Sequence, residues 1–293
     1  MSKLDRMAIV IITRNRCEEV LQVLGRLLKC RPRLEILVVD NGSSDRTLEA
    51  LQRFGPAVRI VPAGRNLGAA GRNLGVADAT RPYVAFCDDD SCWDPISLSR
   101  AVEIFEGYPH VGLLAGKILV GSELTIDPLC RELALSPLEV DRPLPGPAIL
   151  GFAACGAIVR KQAFLDAGGF HPHMGVGGEE ELLAWDMAAK GWALSYVEEI
   201  FAEHFPSPSR DKERRQAILI RNRLWTTWLR RPSRVIFKET SRTLKGSVLA
   251  RPYRKGLTDA LKGLPWVMRQ RTTLPGRVEK QLEALASHDA AVK

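Results

Sequence analysis

Asp88-Asp89-Asp90 follows directly on the apolar run Tyr83 to Cys87. Three adjacent carboxylates repel one another, and a cation or solvent relieves that repulsion. Hard oxygen donors of this kind suit Mg²⁺ or Mn²⁺ bridging a diphosphate, and do not suit zinc. Thr13-Arg14-Asn15-Arg16, after an earlier apolar run, offers hydroxyl, amide and guanidinium donors, and Asp40 can accept from a base or ribose. Asn66-Leu67-Gly68-Ala69-Ala70-Gly71-Arg72-Asn73 is a small-residue loop opening a helix. Its backbone can approach a ligand closely and Arg72 can neutralise phosphate. The loop matches neither G-x-G-x-x-G nor G-x-x-x-x-G-K-[ST], so the dinucleotide fingerprint and the P-loop are both absent. Glu179-Glu180-Glu181 supplies further carboxylates, although a helix N-terminus also gathers acids through its macrodipole.

These groups need a scaffold that brings them to one edge. Met7 to Ile12 and Glu35 to Val39 are continuous apolar runs, as strands buried on both faces should be. Helical spacing runs from Glu18 to Leu28, and Ser43 or Ser44 is expected to cap a helix from Arg46 to Phe54. Val58 to Val61 reads as a third strand, Asn73 to Ala79 as helix and Tyr83 to Cys87 as a fourth strand. This alternation predicts a mainly parallel α/β sheet flanked by helices. Polar clusters then sit at the carboxyl ends of strands one, two and four, the edge where open α/β sheets bind ligands. Beyond residue 95 the pattern loosens. Helices are expected over Ser97 to Phe105, Lys161 to Ala167 and Glu179 to Lys190, and extended chain over Gly112 to Val120 and Ala193 to Val197. A helix from Asp211 to Trp228 precedes basic helices over 233–282, interrupted at Pro252, Pro265 and Pro275.

The 293 residues are 45% apolar and 26% charged, enough for a buried core and against wholesale disorder. Six cysteines form no C-x-x-C pair, and nowhere do 18 apolar residues run together. A disulfide scaffold and an integral membrane protein are poor readings; a reducing, cytoplasmic setting is the expectation. The net charge of +8 is unevenly spread. Residues 1–205 carry 21 Lys and Arg against 27 Asp and Glu, whereas 206–282 carry 20 against 5. Arg221, Arg223 and Arg230 alternate with Leu224, Trp225, Trp228 and Leu229, and Arg234 to Lys245 adds Val235, Ile236, Phe237 and Leu244. Cationic helices with an apolar side suit an anionic membrane surface, at about 1 kcal/mol per cation. The other reading is a helical appendage packed on the domain or on a second subunit. Nucleic acid is a weaker partner, because no nucleic-acid motif accompanies the charge.

Taken in order, Ile9 to Arg16, Val38 to Asp45, Asn66-Leu67-Gly68 with Arg72-Asn73, and Phe86 to Asp90 resemble the family 2 glycosyltransferases. Gly168-Gly169-Phe170, Gly178 to Leu182 and Gly191-Trp192 extend the resemblance over roughly residues 7–205. It implies a GT-A, Rossmann-like domain over 1–205, with a nucleotide-sugar half (1–95) and an acceptor half (96–205), followed by a basic helical region (206–293). Thr13, Arg14, Asn15 and Asn66 would face the nucleotide sugar, Asp40 the pyrimidine and Arg72 the diphosphate. Asp88 and Asp89 would line the donor, with Asp88 near the ribose. Asp90 would hold Mg²⁺ or Mn²⁺, with His204 at a position that helps hold metal or diphosphate. Glu180 occupies the place of the catalytic base, a Glu where Asp is usual, and Glu179 would lie by the acceptor. Trp93 is the preferred acceptor contact among Trp93, Trp185 and Trp192. Asp186 stands where the family often has Arg, and His171 replaces the Asp that commonly follows Gly-Gly-Phe. The implied activity is metal-dependent, inverting, hexosyltransferase-like transfer from a UDP- or dTDP-sugar to a hydroxyl of a glycan, a lipid-linked molecule or a small molecule. A sugar-phosphate nucleotidyltransferase would carry a Gly-rich loop where Thr13-Arg14-Asn15-Arg16 stands. A non-catalytic membrane scaffold would not need Asp40, Asp88, Asp90 and Glu180 together.

Overall fold

Residues alternate between the two faces of a strand, and the first apolar run shows the effect directly. Met7, Ile9 and Ile11 enter one buried cluster with Val20, Leu24 and Leu27, while Ala8 and Val10 enter another with Val76 and Phe164. The computed structural model describes residues 3–30, 34–206 and 212–292. Its first half comprises β1 (Met7–Thr13), α1 (Cys17–Cys30), β2 (Glu35–Asp40), α2 (Thr47–Gln52), β3 (Arg59–Pro62), α3 (Gly71–Asp78), β4 (Tyr83–Asp88) and β5 (Ser91–Trp93). There follow α4 (Pro95–Gly107), β6 (Val111–Val120), β7 (Thr125–Ile126), α5 (Pro128–Ala134), β8 (Ala157–Arg160), α6 (Lys161–Asp166), α7 (Glu179–Ala189) and β9 (Ala193–His204). The basic region is helical: α8 (Lys212–Arg230), α9 (Ser233–Leu249), α10 (Arg251–Lys262), α11 (Leu264–Gln270) and α12 (Gly276–Val292).

The strands form one mixed sheet in the order β3-β2-β1-β4-β8-β6-β9-β5, with β7 on β6. It is parallel through β3-β2-β1-β4, as expected, and turns antiparallel where β8 joins β4 and β6. Register matters more than count here. Thr13 lies opposite Asp40 and Ile12 opposite Asp88, so β1, β2 and β4 end level with one another. β9 then runs antiparallel to β5 with His204 opposite Ser91, which carries the end of the sheet's second half back to the acidic turn. The sequence reading ended this strand at Val197. Its register on β6 jumps from Gly116↔Val197 to Lys117↔Phe201, so the exposed Glu198-Glu199 is a bulge inside a longer strand.

Several local expectations change. Neither Ser43 nor Ser44 caps α2; the Asp45 carboxylate takes the Thr47 N–H at 3.0 Å instead. Pro252 and Pro265 sit in the first turns of α10 and α11, where a missing N–H costs nothing, and start helices. Asp211, the expected start of α8, lies outside the described residues.

The basic region packs on the domain. Leu224, Trp225, Trp228 and Leu229 of α8 are buried with Met174 and Leu182, so this face of α8 is not available to a membrane. The Trp225 indole donates to the Ala260 carbonyl at 2.9 Å. Arg230 grips Asp186 with two bonds of 2.5 and 2.9 Å, which explains an acid where Arg is usual. Arg277 donates to the carbonyls of Ala188 and Ala189 at the end of α7, where a cation meets the negative pole of the helix. α9 behaves differently: Phe237, Leu244 and Val248, spaced i, i+7 and i+11, are 76%, 57% and 79% exposed. Among the described residues no helix is long and apolar enough to cross a membrane.

Candidate active site

Three loops meet at the level strand ends. Asn15, held at a left-handed φ of 53°, takes the Ser44 N–H on Oδ1 at 2.7 Å and gives its own N–H to Ser43 Oγ at 3.0 Å. Arg14 is exposed and its Nε donates to the Gly42 carbonyl at 3.4 Å. Asp40 is buried and its carboxylate accepts the Ser43 N–H at 3.2 Å. Asn66 Oδ1 accepts from Gly68 N–H and Asn41 Nδ2, and Asn41 in turn bonds Leu67 N–H and the Gly68 carbonyl. Gly68, at φ 61°, allows the closest approach: a Cβ there would lie 2.6 Å from Gly175 Cα.

The acidic turn is divided among several partners. Thr13 Oγ1 donates to Asp89 at 3.0 Å, and Arg16 lies 3.1 Å from Asp89 and 3.2 Å from Asp90. Burial still pushes the Asp89 carboxyl up to about 7, against the pull of Arg16 and Thr13. Asp88 pairs with Arg72, a buried guanidinium whose Nε has no hydrogen-bond partner among the described residues. His204 Nε2 stands 3.4 Å from Asp90 Oδ1. Donor atoms of Asp88, Cys155 and His204 lie within 4.8 Å of one another.

Across this cluster stands the N-terminus of α7. Gly177 and Gly178, at φ 114° and 81°, make the turn into the helix. Glu179 is 2% exposed and accepts the Gly177 N–H, so it closes this loop. Burial and the adjacent Glu180 charge push its carboxyl up to about 8. Glu180 is also pushed up by burial, against its bonds to its own and the Ala154 backbone amides and the attraction of Arg72. A cleft of about 620 Å³ is lined by Arg72, Asp88, Cys155, Glu179, Glu180 and His204. A second cavity of about 360 Å³, walled by Leu129, Leu133, Ile149, Leu150, Phe152 and Leu285, also reaches Glu180.

The model of glycosyl transferase family 2 matches residues 8–167. The chain belongs to this family. It is a glycosyltransferase of GT-A fold. An N-acetylglucosaminyl-diphospho-decaprenol L-rhamnosyltransferase of Mycobacterium tuberculosis is 25% identical over 213 residues, 61% of this chain and 69% of that one. An uncharacterised glycosyltransferase of Nostoc is 36% identical over 100 residues, 32% of this chain and 31% of the relative. Among solved structures, the Pyrobaculum calidifontis mannosyltransferase in complex with GDP-Man and Mn²⁺ superposes with TM-score 0.60 at 18% identity, covering 96% of this chain and 75% of that one. Staphylococcus aureus TarS 1-349 in complex with UDP-GlcNAc gives 0.59 at 14% identity, covering 94% and 83%.

Within this glycosyltransferase the residues read from sequence separate into two groups. Arg72, Asp88, Glu179, Glu180 and His204 share the cleft, whereas Thr13, Asp40, Asp89 and Asp90 are buried in the loop packing around it. Trp93 is corrected. It is 2% exposed, its indole donates to the Phe86 carbonyl at 2.8 Å, and it packs the core instead of reaching an acceptor. His171 stacks on Trp266 at 4.8 Å and bonds Gln270, so the substitution after Gly-Gly-Phe serves the contact with α11. Two contributors went unseen in the sequence, Cys155 and Asn222, while Arg16 and Asn73 were quoted within polar clusters without a role of their own. Asn73 bonds both backbone groups of Phe170, and Asn222, fully buried, donates to the carbonyls of Met174 and Gly177. Only Arg16 and Asn73 carried a signal, as polar neighbours of residues already singled out.

The Asp88 carboxylate and His204 imidazole, with Asp90 against the same ring, form an oxygen and nitrogen donor set that fits Mg²⁺ or Mn²⁺. Burial pushes the Cys155 thiol well above its ordinary range, which keeps it protonated and a poor partner for a hard ion.

Proposed function

We propose that this glycosyltransferase moves a sugar from a UDP- or dTDP-sugar to a hydroxyl of a lipid-linked acceptor, inverting the anomeric centre. The observation that carries this is the position of Glu180, common to the polar cleft and to the apolar cavity behind it. Donor chemistry fits the polar side: Arg72 would meet the diphosphate, while Arg14, Asn15, Asp40 and Asn66 belong to the loops that would hold the nucleoside. Acceptor chemistry fits the apolar side. The Glu180 carboxylate takes the proton of the acceptor hydroxyl as that oxygen bonds to the anomeric carbon, and the bond from this carbon to the diphosphate oxygen breaks. A carboxyl raised by burial is a stronger base and is better matched to this task near neutral pH. Asp88 and His204, with Asp90, would hold Mg²⁺ or Mn²⁺, whose charge stabilises a leaving diphosphate. The naming of the mycobacterial relative for a diphospho-decaprenol acceptor supports the lipid-linked class. The exposed stripe Phe237, Leu244 and Val248 on α9, beside Lys238 and Lys245, supports a peripheral seat on an anionic leaflet at the cytoplasmic face.

Calorimetric titration of UDP- and dTDP-sugars, with and without Mn²⁺, tests the donor half. Binding that needs the metal and is lost in Asp88→Ala with His204→Ala supports it; equal binding without metal overturns it. The anomeric configuration of the product, read by NMR, tests inversion, and a retained configuration overturns that part.

A further inference from the structure

Glu181, one residue along α7 from the proposed base, lines both the apolar cavity and a larger one of about 900 Å³ between α7, α8, α9 and α12. The walls of this larger cavity carry Arg223, Arg231, Arg234, Lys238 and Arg242 against Glu181, Glu239 and Glu283, an excess of two positive charges. Three of the cations are already committed: Arg223 to Glu239, Arg231 to Glu279, and Arg234 to Glu283. Lys238 and Arg242 have no ion pair among the described residues. The Trp185 side chain also lines the cavity; the residue is 3% exposed, and its Nε1 hydrogen has no acceptor among the described residues. Set against Glu181, which has no ion pair among the described residues, the two spare cations call for an anion that only accepts hydrogen bonds. A phosphate monoester or a diphosphate diester is such a group, and Arg242 offers the fork that suits it.

We propose that this cavity is the subsite for the phosphate or diphosphate group of the acceptor. This rests on the acceptor assignment above and sharpens it: the sugar would reach Glu180 while the anionic link beside it is held by Lys238 and Arg242. Uncharged acceptors of the same sugar would lack this anchor. The committed ion pairs fix the walls, so the free charges need little rearrangement to receive the anion.

Inorganic pyrophosphate, titrated calorimetrically into the full chain in EDTA, tests the site without any transfer reaction. Wild-type binding is expected, weakened at least tenfold in Lys238→Ala with Arg242→Ala and unchanged in Lys245→Ala, an exposed cation of the same helix outside the cavity, with both variants melting like wild type. No binding to wild type, full affinity in the double variant, or an equal loss in Lys245→Ala would each overturn the subsite. Kinetic arms with a prenyl-diphosphate sugar, a soluble short-chain alkyl diphosphate sugar and a neutral alkyl glycoside then identify the source. The double variant should raise KM for the diphosphate acceptors alone, and the better native substrate of those two shows whether a lipid or a free phosphate compound is bound. An equal rise for the neutral glycoside overturns the proposal. UDP titration with Mn²⁺ in the same double variant should be unchanged; absence of UDP binding from wild type would count against the donor reading and leave the pyrophosphate result standing.

Discussion

Asn222→Ala should damage catalysis from outside the cleft. The residue is fully buried on α8, and its Nδ2 donates at 2.8 Å to Met174 and at 2.7 Å to Gly177, while Oδ1 accepts from Arg221 Nε at 3.0 Å. Truncation removes three hydrogen bonds at about 1 kcal/mol each. The Met174 carbonyl keeps Arg221 Nη2 as a donor at 2.7 Å, so the Gly177 carbonyl is the group left stranded. A loss of about 3 kcal/mol follows, equivalent to a fall in Tm of about 5 °C for a chain of this length. Gly177 also supplies the N–H that Glu179 accepts, so the start of α7 loosens and Glu180 with it. Misplacing a base by about 1 Å can cost up to 10²-fold, so kcat should fall at least tenfold below the melting range. Calorimetry gives Tm, and steady-state transfer at 20 °C gives kcat. A Tm drop of the stated size with kcat intact would show that α8 braces the fold and has no hold on the site. An unchanged Tm would refute the hydrogen-bond reckoning itself.

Three other outcomes follow from the same geometry. Glu180→Gln keeps shape and removes basicity, so turnover should drop about 10²–10⁴-fold while calorimetric donor binding persists; Glu181→Gln should do far less, and the reverse pattern would move the base. Glu179 is pushed from 4.5 to about 8, so the fold favours its protonated form and loses stability as pH rises across that window. Glu179→Gln should therefore narrow the gap between melting temperatures at pH 6 and pH 9, and an unaltered gap would show that Glu179 titrates normally. Gly68→Ala and Gly64→Ala both place a side chain at positive φ, but only position 68 meets backbone at 2.6 Å. Position 68 should lose clearly more Tm in thermal unfolding, and equal losses would mean the contact with Gly175 is slack.

The first half of the sheet was legible because it obeys local rules. Apolar runs such as Met7 to Ile12, each closed by a polar cluster, announce buried strands and the binding edge together. The second half hides its order in long-range pairing. β5 is a three-residue strand defined only by its partner β9, and Glu198-Glu199 interrupts β9 with a bulge that mimics a strand end. Trp93 misled because proximity in sequence to Asp90 says nothing about which face of a strand it occupies. Cys155 joined Asp88 and His204 through the sheet, 67 residues from one and 49 from the other, a distance no spacing rule spans. The tail read as one basic amphipathic block, whereas α8 spends its apolar side on Met174 and Leu182 while α9 keeps Phe237, Leu244 and Val248 outside.

One hydrogen-bonded sheet runs from β3 through β9 to β5. Enzymes of this kind are often pictured as a donor module joined to an interchangeable acceptor module. Here any exchange of the second half would cut the β4–β8 ladder and leave His204 without its place opposite Ser91. Homologous recombination should therefore tolerate crossovers beyond α8, where the chain meets the rest through helix faces, and reject them between β4 and β8 or within α8, whose Asn222 holds the loop before α7. New acceptor preferences in this lineage would then arise by residue changes along the cavity walls and by replacement of the terminal helices, with the sheet inherited whole.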